Sequence, residues 1–437
     1  VLNLNKEEIL ETLKTGRVDY VRVEFVDILG NVRGKSLRRV EFQEAIEDGI
    51  PFSSSILSYD YKDRPLEESE FERDRDIIAL PDPSTFIIIP YLERTGRVLS
   101  YIKTPDLTPH EGCSRTVLAK TINDLEEKGI KVIISLEPKF YLVRRIDNKI
   151  YPADSARAYS TEGFLAQQDL LKKINSYLES CGIPVEKVSK EKGPGQYEIN
   201  FVRMEALKAS DSMVALKEIV RDISMIHGLI ATFMPMPFNE LPSGGMHIHI
   251  SLIDSKDKRN LFYDQNDQRG FNLSRIAYSF IAGILEHIEA LTAITNPTVN
   301  SFKKFKADRE SSKVLNYARG SRLSVIRIPE YKTNNIRIEL RFPDALSNIY
   351  LALASIIRAG YDGIERDLDP GVIGGDGAKI DWDLEYALKK LEDDKLLMNT
   401  LGEKIIREFI KLKKKEIQEY YSFITDWEVE NYLKTGI

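Results

Sequence analysis

The sequence predicts an α+β fold in two units, a small mixed one followed by a larger one built on an antiparallel sheet. Three observations carry this. At 437 residues the chain is too long for one ordinary core, and roughly 150 residues per domain suggests two or three domains. Four separate stretches alternate apolar and polar residues with period 2, the mark of half-buried strands. Around them run apolar stripes at helical spacing, such as Leu171, Ile174 and Leu178, closed by Gly182 and Pro184.

Taken in order, Asn5 can cap a short helix over residues 6–14 that ends near Gly16. Residues 18–26 alternate, with Val21, Val23 and Phe25 on one face, and turn at Leu29-Gly30-Asn31. A second extended stretch, 86–89, follows Pro81-Asp82-Pro83, and residues 53–75 read as a polar irregular loop. Pro105 and Pro109 bracket a linker, which sets the expected units at 1–104 and 105–437. Beyond Glu111, helices and strands interleave. Met213, Leu216, Val220, Ile223 and His227 share one stripe, so His227 reads as a packed or capping histidine rather than a ligand. Residues 351–364 form an apolar helix, and the C-terminal region is helical with Gly402 as punctuation. The basic cluster Lys411, Lys413, Lys414 and Lys415 reads as a solvated helix face.

Composition narrows the function classes. A net charge of −6 gives no basic field for nucleic acid. Two cysteines, Cys113 and Cys181, exclude a disulfide framework and a cysteine-based zinc module. Histidine chemistry must come from His110, His227, His247, His249 and His287. No apolar run approaches a membrane span, and no basic-then-apolar signal pattern opens the chain, so the expected location is cytoplasmic, away from the membrane.

The four alternating stretches hold the chemistry. In 132–143, Ser135, Glu137, Lys139 and Tyr141 oppose an apolar face. In 196–202 the polar set is Gln196, Glu198 and Asn200; in 246–252 it is His247, His249 and Ser251; in 336–342 it is Arg337, Glu339 and Arg341. A plain sheet with one solvated face would show such alternation too. Solvated faces are usually mixtures of Thr, Lys, Ser and Glu, whereas these positions are rich in Glu, His and Arg. Glycine-rich turns, Gly193-Pro194-Gly195 and Ser243-Gly244-Gly245, precede two of the strands. A polar cavity lined by these strands is therefore the preferred reading. Carboxylates with one or two imidazoles suit Mg²⁺ or Mn²⁺, and neighbouring arginines suit a polyphosphate. No GxxxxGK[ST] or GxSxG pattern occurs, which leaves metal-assisted handling of ATP without a P-loop.

At this point the residues resemble the glutamine synthetase family. Ser135-Leu136-Glu137-Pro138-Lys139-Phe140 resembles its PExEF strand, and Glu191-Lys192-Gly193-Pro194-Gly195-Gln196-Tyr197-Glu198 its HEx(A/G)PGQxE segment. Ser243-Gly244-Gly245-Met246-His247-Ile248-His249 resembles NGSGMHxH, and Asn296-Pro297-Thr298-Val299-Asn300-Ser301-Phe302-Lys303 resembles NPTxNSYKR. Arg337-Ile338-Glu339-Leu340-Arg341-Phe342-Pro343-Asp344 resembles RxExRxPD, and 350–364 the helix ending in AGxDGI. The resemblance implies an N-terminal β-grasp domain and a C-terminal catalytic domain whose curved antiparallel sheet is flanked by helices. It implies a homo-oligomer of two stacked hexameric rings with active sites between subunits. It also implies that ATP phosphorylates the γ-carboxylate of glutamate before ammonia or an amine attacks, so that the partners are a small acid and an amine. Residue by residue, Glu137, His247 and Glu339 would hold one metal, Mg²⁺ or Mn²⁺, and Glu191 and Glu198 the other. Arg322, Arg327 and Arg337, with His249 and Ser251, would bind the nucleotide. Arg341, Lys304, Ser243 and Gly244 would bind the acid, and Glu310 would be the flap glutamate, acting with Arg322 in catalysis.

Four departures from the family pattern stand out. Lys139 replaces the second glutamate of PExEF, a metal ligand. Its ammonium either occupies that metal's place between Glu191 and Glu198 or swings out and leaves a weak, watery site. Pro242-Ser243 replaces Asn-Gly, which removes an amide from the substrate loop. Lys304 replaces an arginine. Phe52-Ser53-Ser54-Ser55 stands where FDGSS carries the aspartate that handles ammonium. Three expectations follow: a ligase joining glutamate or a related acid to a larger amine, an authentic glutamine synthetase, or a catalytically silent binding or regulatory member.

Overall fold

The computed structural model describes residues 6–72, 74–330, 335–371 and 378–433, so the expected Asn5 cap lies outside the described residues. The helix expected over 6–14 is α1 (Lys6–Lys14), which buries Ile9 and Leu13. It is followed by β1 (Tyr20–Val26), β2 (Val32–Arg38), α2 (Arg39–Asp48), β3 (Ile50–Ser53), β4 (Asp76–Pro81), β5 (Ile87–Ile88) and β6 (Thr95–Lys103). The sheet runs β2-β1-β6-β4-β3, with β6 parallel to β1 and antiparallel to β4. This is the β-grasp arrangement, with α2 packed against β2 and β4.

The central strand β6 escapes a period-2 reading because residues 96–100 are all buried, so no face alternates. The stretch at 86–89 contributes only the two-residue β5.

The larger unit continues with α3 (Ser114–Glu126), β7 (Ile130–Ile146), β8 (Lys149–Pro152), α4 (Thr161–Ala166), α5 (Gln168–Ser180), β9 (Val185–Lys190) and β10 (Gln196–Phe201). Then come β11 (Met204–Glu205), α6 (Ala206–Ile226), β12 (Ile230–Thr232), β13 (Met246–Asp254), α7 (Arg275–Glu286), α8 (Ile288–Thr295) and α9 (Val299–Ala307). The chain closes through β14 (Val314–Arg319), β15 (Ser324–Ile328), β16 (Ile338–Leu340), α10 (Ile349–Glu365), α11 (Leu384–Asp393), α12 (Lys395–Leu401) and α13 (Glu403–Tyr421).

The second sheet runs β14-β15-β16-β13-β7-β10-β9 and is antiparallel except where β14 pairs with β15. Strand β7 is its spine, paired to β13 along one edge and to β10 along the other. One face is fully apolar: Leu136, Met246, Ile248, Ile250, Ile338 and Leu340 have no exposed surface. Helices α3, α6 and α10 pack together behind it, and α3 and α6 touch β7. Asn348 caps α10, and its Nδ2 donates to the carbonyl of Asp27 (2.9 Å) in the β1–β2 turn, tying the two sheets' units together.

His227 sits at the C-terminal cap of α6 with Nδ1 2.7 Å from the Ile223 carbonyl oxygen, a capping role. The basic cluster on α13 needs correction. Lys411 pairs with Glu70, Lys415 with the buried Asp60 (2.9 Å) and the buried Lys413 with Glu416 (2.9 Å). Only Lys414 is exposed, so this face clamps the 59–72 loop rather than meeting solvent.

His287, between α7 and α8, lies 2.6 Å from Asp394 Oδ2 and 3.4 Å from Asp362 Oδ2. Burial opposes its charge, but the two carboxylates outweigh burial and raise its pKa. A raised histidine stabilises the fold below the unfolded value of about 6.5, and that contribution is lost as pH rises through the folded value. His287→Gln should therefore cost about 1.5–3 kcal/mol in mildly acidic buffer and less in alkaline buffer. Urea denaturation across pH checks this, and a loss independent of pH would contradict it.

Candidate active site

Strand register assembles the site. His247 on β13 sits opposite Glu137 on β7, and His249 opposite both Ser135 and, across β16, Glu339. Arg327 on β15 is opposite Glu339, and Lys139 on β7 is opposite Glu198 on β10. The polar face borders a cavity of about 900 Å³ lined by residues of all these strands. Every residue of β10 is buried, including Gln196, Glu198 and Asn200, so this polar face is enclosed, unlike the solvated face of an open sheet.

At its centre Glu137, His247 and Glu339 converge. His247 Nδ1 is 3.1 Å from Glu137 Oε2 and 3.5 Å from Glu339 Oε1. Burial and Arg341 push the His247 pKa down to about 4, so its ring is neutral at pH 7. Burial acts to raise Glu339, but His247, His249, Arg341 and Arg327 outweigh it and hold the carboxyl well below its usual range. Arg327 and Arg341 each pair with one oxygen of this fully buried carboxylate. Ligand atoms of Glu137, His249 and Glu339, and those of Glu137, Glu198 and His247, lie within 4.8 Å of one another. His249 Nδ1 accepts a hydrogen bond from Arg337 Nε (3.0 Å). His249 Nε2 lies 3.1 Å from Glu137 Oε1. Glu137, the neutral His247 and Glu339 are a donor set that suits a hard divalent cation.

The adjacent acidic pair differs. Lys139 Nζ is 2.7 Å from Glu191 Oε2 and 3.6 Å from Glu198 Oε2. Burial would depress this ammonium, but Glu198 and Glu191 outweigh burial and raise its pKa. Burial moves Glu198 the other way, up to about 7, despite Lys139. The ammonium thus places a positive charge against both carboxylates.

Arg322, Arg327, Arg337 and Arg341 all line the cavity. Arg322 is exposed and its guanidinium makes no hydrogen bond or ion pair among the described residues. Glu310 also lines the cavity, with its carboxylate paired to Lys192.

Lys304, Ser243 and Gly244 also line the cavity, with donors engaged by the protein. Lys304 is 3% exposed, and its Nζ donates to Asn296 Oδ1 (2.6 Å) and the Phe342 carbonyl (2.7 Å) with Asp344 3.8 Å away. Two of its donors go to protein acceptors, and burial lowers its pKa to about 8 despite Asp344. Ser243 gives both its N–H (3.0 Å) and its hydroxyl (2.6 Å) to Asp308 Oδ2, and the Gly244 N–H goes to the Pro235 carbonyl (2.7 Å). Ser251 is buried and lies outside the cavity lining. No residue of the N-terminal sheet lines the cavity among the described residues, so 52–55 stands apart from its own chain's site.

The residues missed are those that pin the loop containing Pro242. Tyr141 donates to the Pro242 carbonyl (2.6 Å), Gln196 Nε2 to the Ser243 carbonyl (3.0 Å), and Asp308 anchors Ser243. Tyr141 and Gln196 were visible on the polar faces; Asp308 had no local pattern to mark it.

Comparison with known proteins fits this geometry. Residues 111–432 match the family described as glutamine synthetase, catalytic domain. The chain is 33% identical over 454 residues to the glutamine synthetase of Halobacterium salinarum, covering 98% of this chain and 97% of that protein. It is 33% identical over 456 residues to the glutamate–methylamine ligase of Methyloversatilis universalis, covering 99% and 100%. Among solved structures it is similar to a GmaS/ADP complex, with TM-score 0.87 and 28% identity over 97% of this chain and 99% of that one. The fold, the cavity and full-length relatives above 30% identity place this chain in the glutamine synthetase family.

Proposed function

We propose that the chain is an ATP-dependent carboxylate–amine ligase acting on glutamate or a related acid and an amine larger than ammonia. One observation carries it: a row of arginines borders the converging Glu137, His247 and Glu339 on the wall of one enclosed polar cavity. Near-complete coverage of a glutamate–methylamine ligase supports the amine, as does the absence of a carboxylate in Phe52-Ser53-Ser54-Ser55.

In the proposed reaction a γ-carboxylate oxygen attacks the γ-phosphorus of ATP and ADP departs. The amine nitrogen then attacks the acyl carbon, and phosphate leaves with one former carboxylate oxygen. Arg322, Arg327 and Arg337 hold the phosphates in this reading, and Arg341 the acid's carboxylate. Arg327 and Arg341 share those contacts with Glu339, and Arg337 with His249. Glu310, positioned by Lys192, receives the proton the amine loses. A Mg²⁺ or Mn²⁺ held by Glu137, His247 and Glu339 would offset phosphate charge. The ring assembly implied by family resemblance would bring the 52–55 segment of a neighbour to this cavity.

The Lys139 ion pair favours a second reading, a nucleotide-binding member without turnover. Incubation with ATP, Mg²⁺, glutamate and a panel of ammonia, alkylamines, polyamines and aromatic amines separates the possibilities. Phosphate release that requires an amine other than ammonia is expected. Release with ammonia alone indicates a glutamine synthetase, and nucleotide binding without release indicates the silent member.

A further inference from the structure

We infer that Lys139 is a tethered cation that takes the place of a metal between Glu191 and Glu198, so that each chain holds one divalent cation in this cavity and not two. The geometry is built rather than incidental. Lys139 and Glu198 are cross-strand partners on β7 and β10, which fixes the ammonium over the second carboxylate. Glu191 comes from the turn between β9 and β10, where its N–H donates to the Gln196 carbonyl (2.9 Å) and its own carbonyl accepts from the buried Lys190 Nζ (3.0 Å). All three side chains are largely enclosed, at 17%, 7% and 6% exposed for Lys139, Glu191 and Glu198.

Two buried carboxylates this close need a cation. The ammonium meets that need without leaving the chain. A divalent ion entering the same space would face like-charge repulsion from Lys139. Expelling the ammonium instead would strand it in an enclosed wall without its partners. In the neighbouring cluster Arg327 and Arg341 pair with Glu339 and Glu198 lies within 4.8 Å of Glu137 and His247, but among the described residues no lysine pairs with Glu137, His247 or Glu339. The inference rests on the proposed function for that first cation, but its test does not.

Mn²⁺ binding to the full-length protein, measured by equilibrium dialysis and electron paramagnetic resonance, reads both. One equivalent per chain is expected for the wild type and two for Lys139→Glu, which restores a carboxylate. Glu191→Gln should leave the wild-type number unchanged and should remove the gained equivalent in the Lys139→Glu background. Two equivalents in the wild type, or a folded Lys139→Glu protein with no gain, would overturn the inference. Should Lys139→Glu not fold, Lys139→Gln should gain a second, weaker equivalent, and no gain there overturns it equally. A wild type that binds none while Lys139→Glu binds one would sustain the tethered cation and refute the proposed first site.

Discussion

Replacing Glu339 by alanine is expected to abolish ATP-dependent amide formation, by at least about 100-fold, and to lower stability by about 3–5 kcal/mol. The two effects have separate causes. Glu339 and Glu137 both approach His247 Nδ1, so loss of Glu339 opens the proposed cation site. It is also 1% exposed and pairs with both Arg327 and Arg341. Its removal leaves two guanidinium groups without their counter-charge in an enclosed wall. Glu339→Gln keeps the volume and one acceptor, so it should recover part of the stability and little of the activity. Chemical denaturation with steady-state turnover on the same preparations checks both. A stable, active Glu339→Ala protein would contradict the ion-pair reading and the site reading together.

Gly283→Ala should cost about 3 kcal/mol, the upper end of overpacking effects, although it lies far from any ligand chemistry. Gly283 on α7 faces Gly363 on α10, and a methyl at Gly283 would press on the Ala359 carbonyl oxygen and the Gly363 backbone. Backbone atoms cannot relieve a clash by changing rotamer, so the helices must part. Gly363→Ala meets the Ser279 carbonyl and the Gly283 backbone in the same way. Because α10 carries the Asn348 cap that binds the β1–β2 turn, parting it should also loosen the N-terminal unit. Thermal unfolding measures the loss, and hydrogen exchange in β1 and β2 measures its spread. A change below about 0.5 kcal/mol would contradict the close crossing.

The polar strands were legible because period 2 names a face and the residue types name its chemistry. Period 2 put Glu137, His247 and Glu339 on polar faces, and the family resemblance grouped them. The β-grasp unit was legible through its family motifs more than through its own strands, since β6 is buried on both faces and does not alternate. The reading of the α13 lysines failed for a physical reason: a residue's place on a helix does not say which way a long side chain reaches. Lys411 and Lys415 on α13 reach Glu70 and Asp60 in the 59–72 loop, more than 300 residues away in sequence. Asp308 was invisible for a related reason, because its partner Ser243 is 65 residues distant.

The most direct measurement follows an oxygen atom. Glutamate carrying ¹⁸O in its γ-carboxylate is given to the protein with ATP, Mg²⁺ and the amine that supports turnover, and the released phosphate is examined by mass spectrometry. One labelled oxygen in the phosphate is expected, because the acyl phosphate must break at its carbonyl carbon when the amine attacks. Amide formed with unlabelled phosphate would contradict an acyl phosphate at this cavity, as would unlabelled phosphate released without any amide.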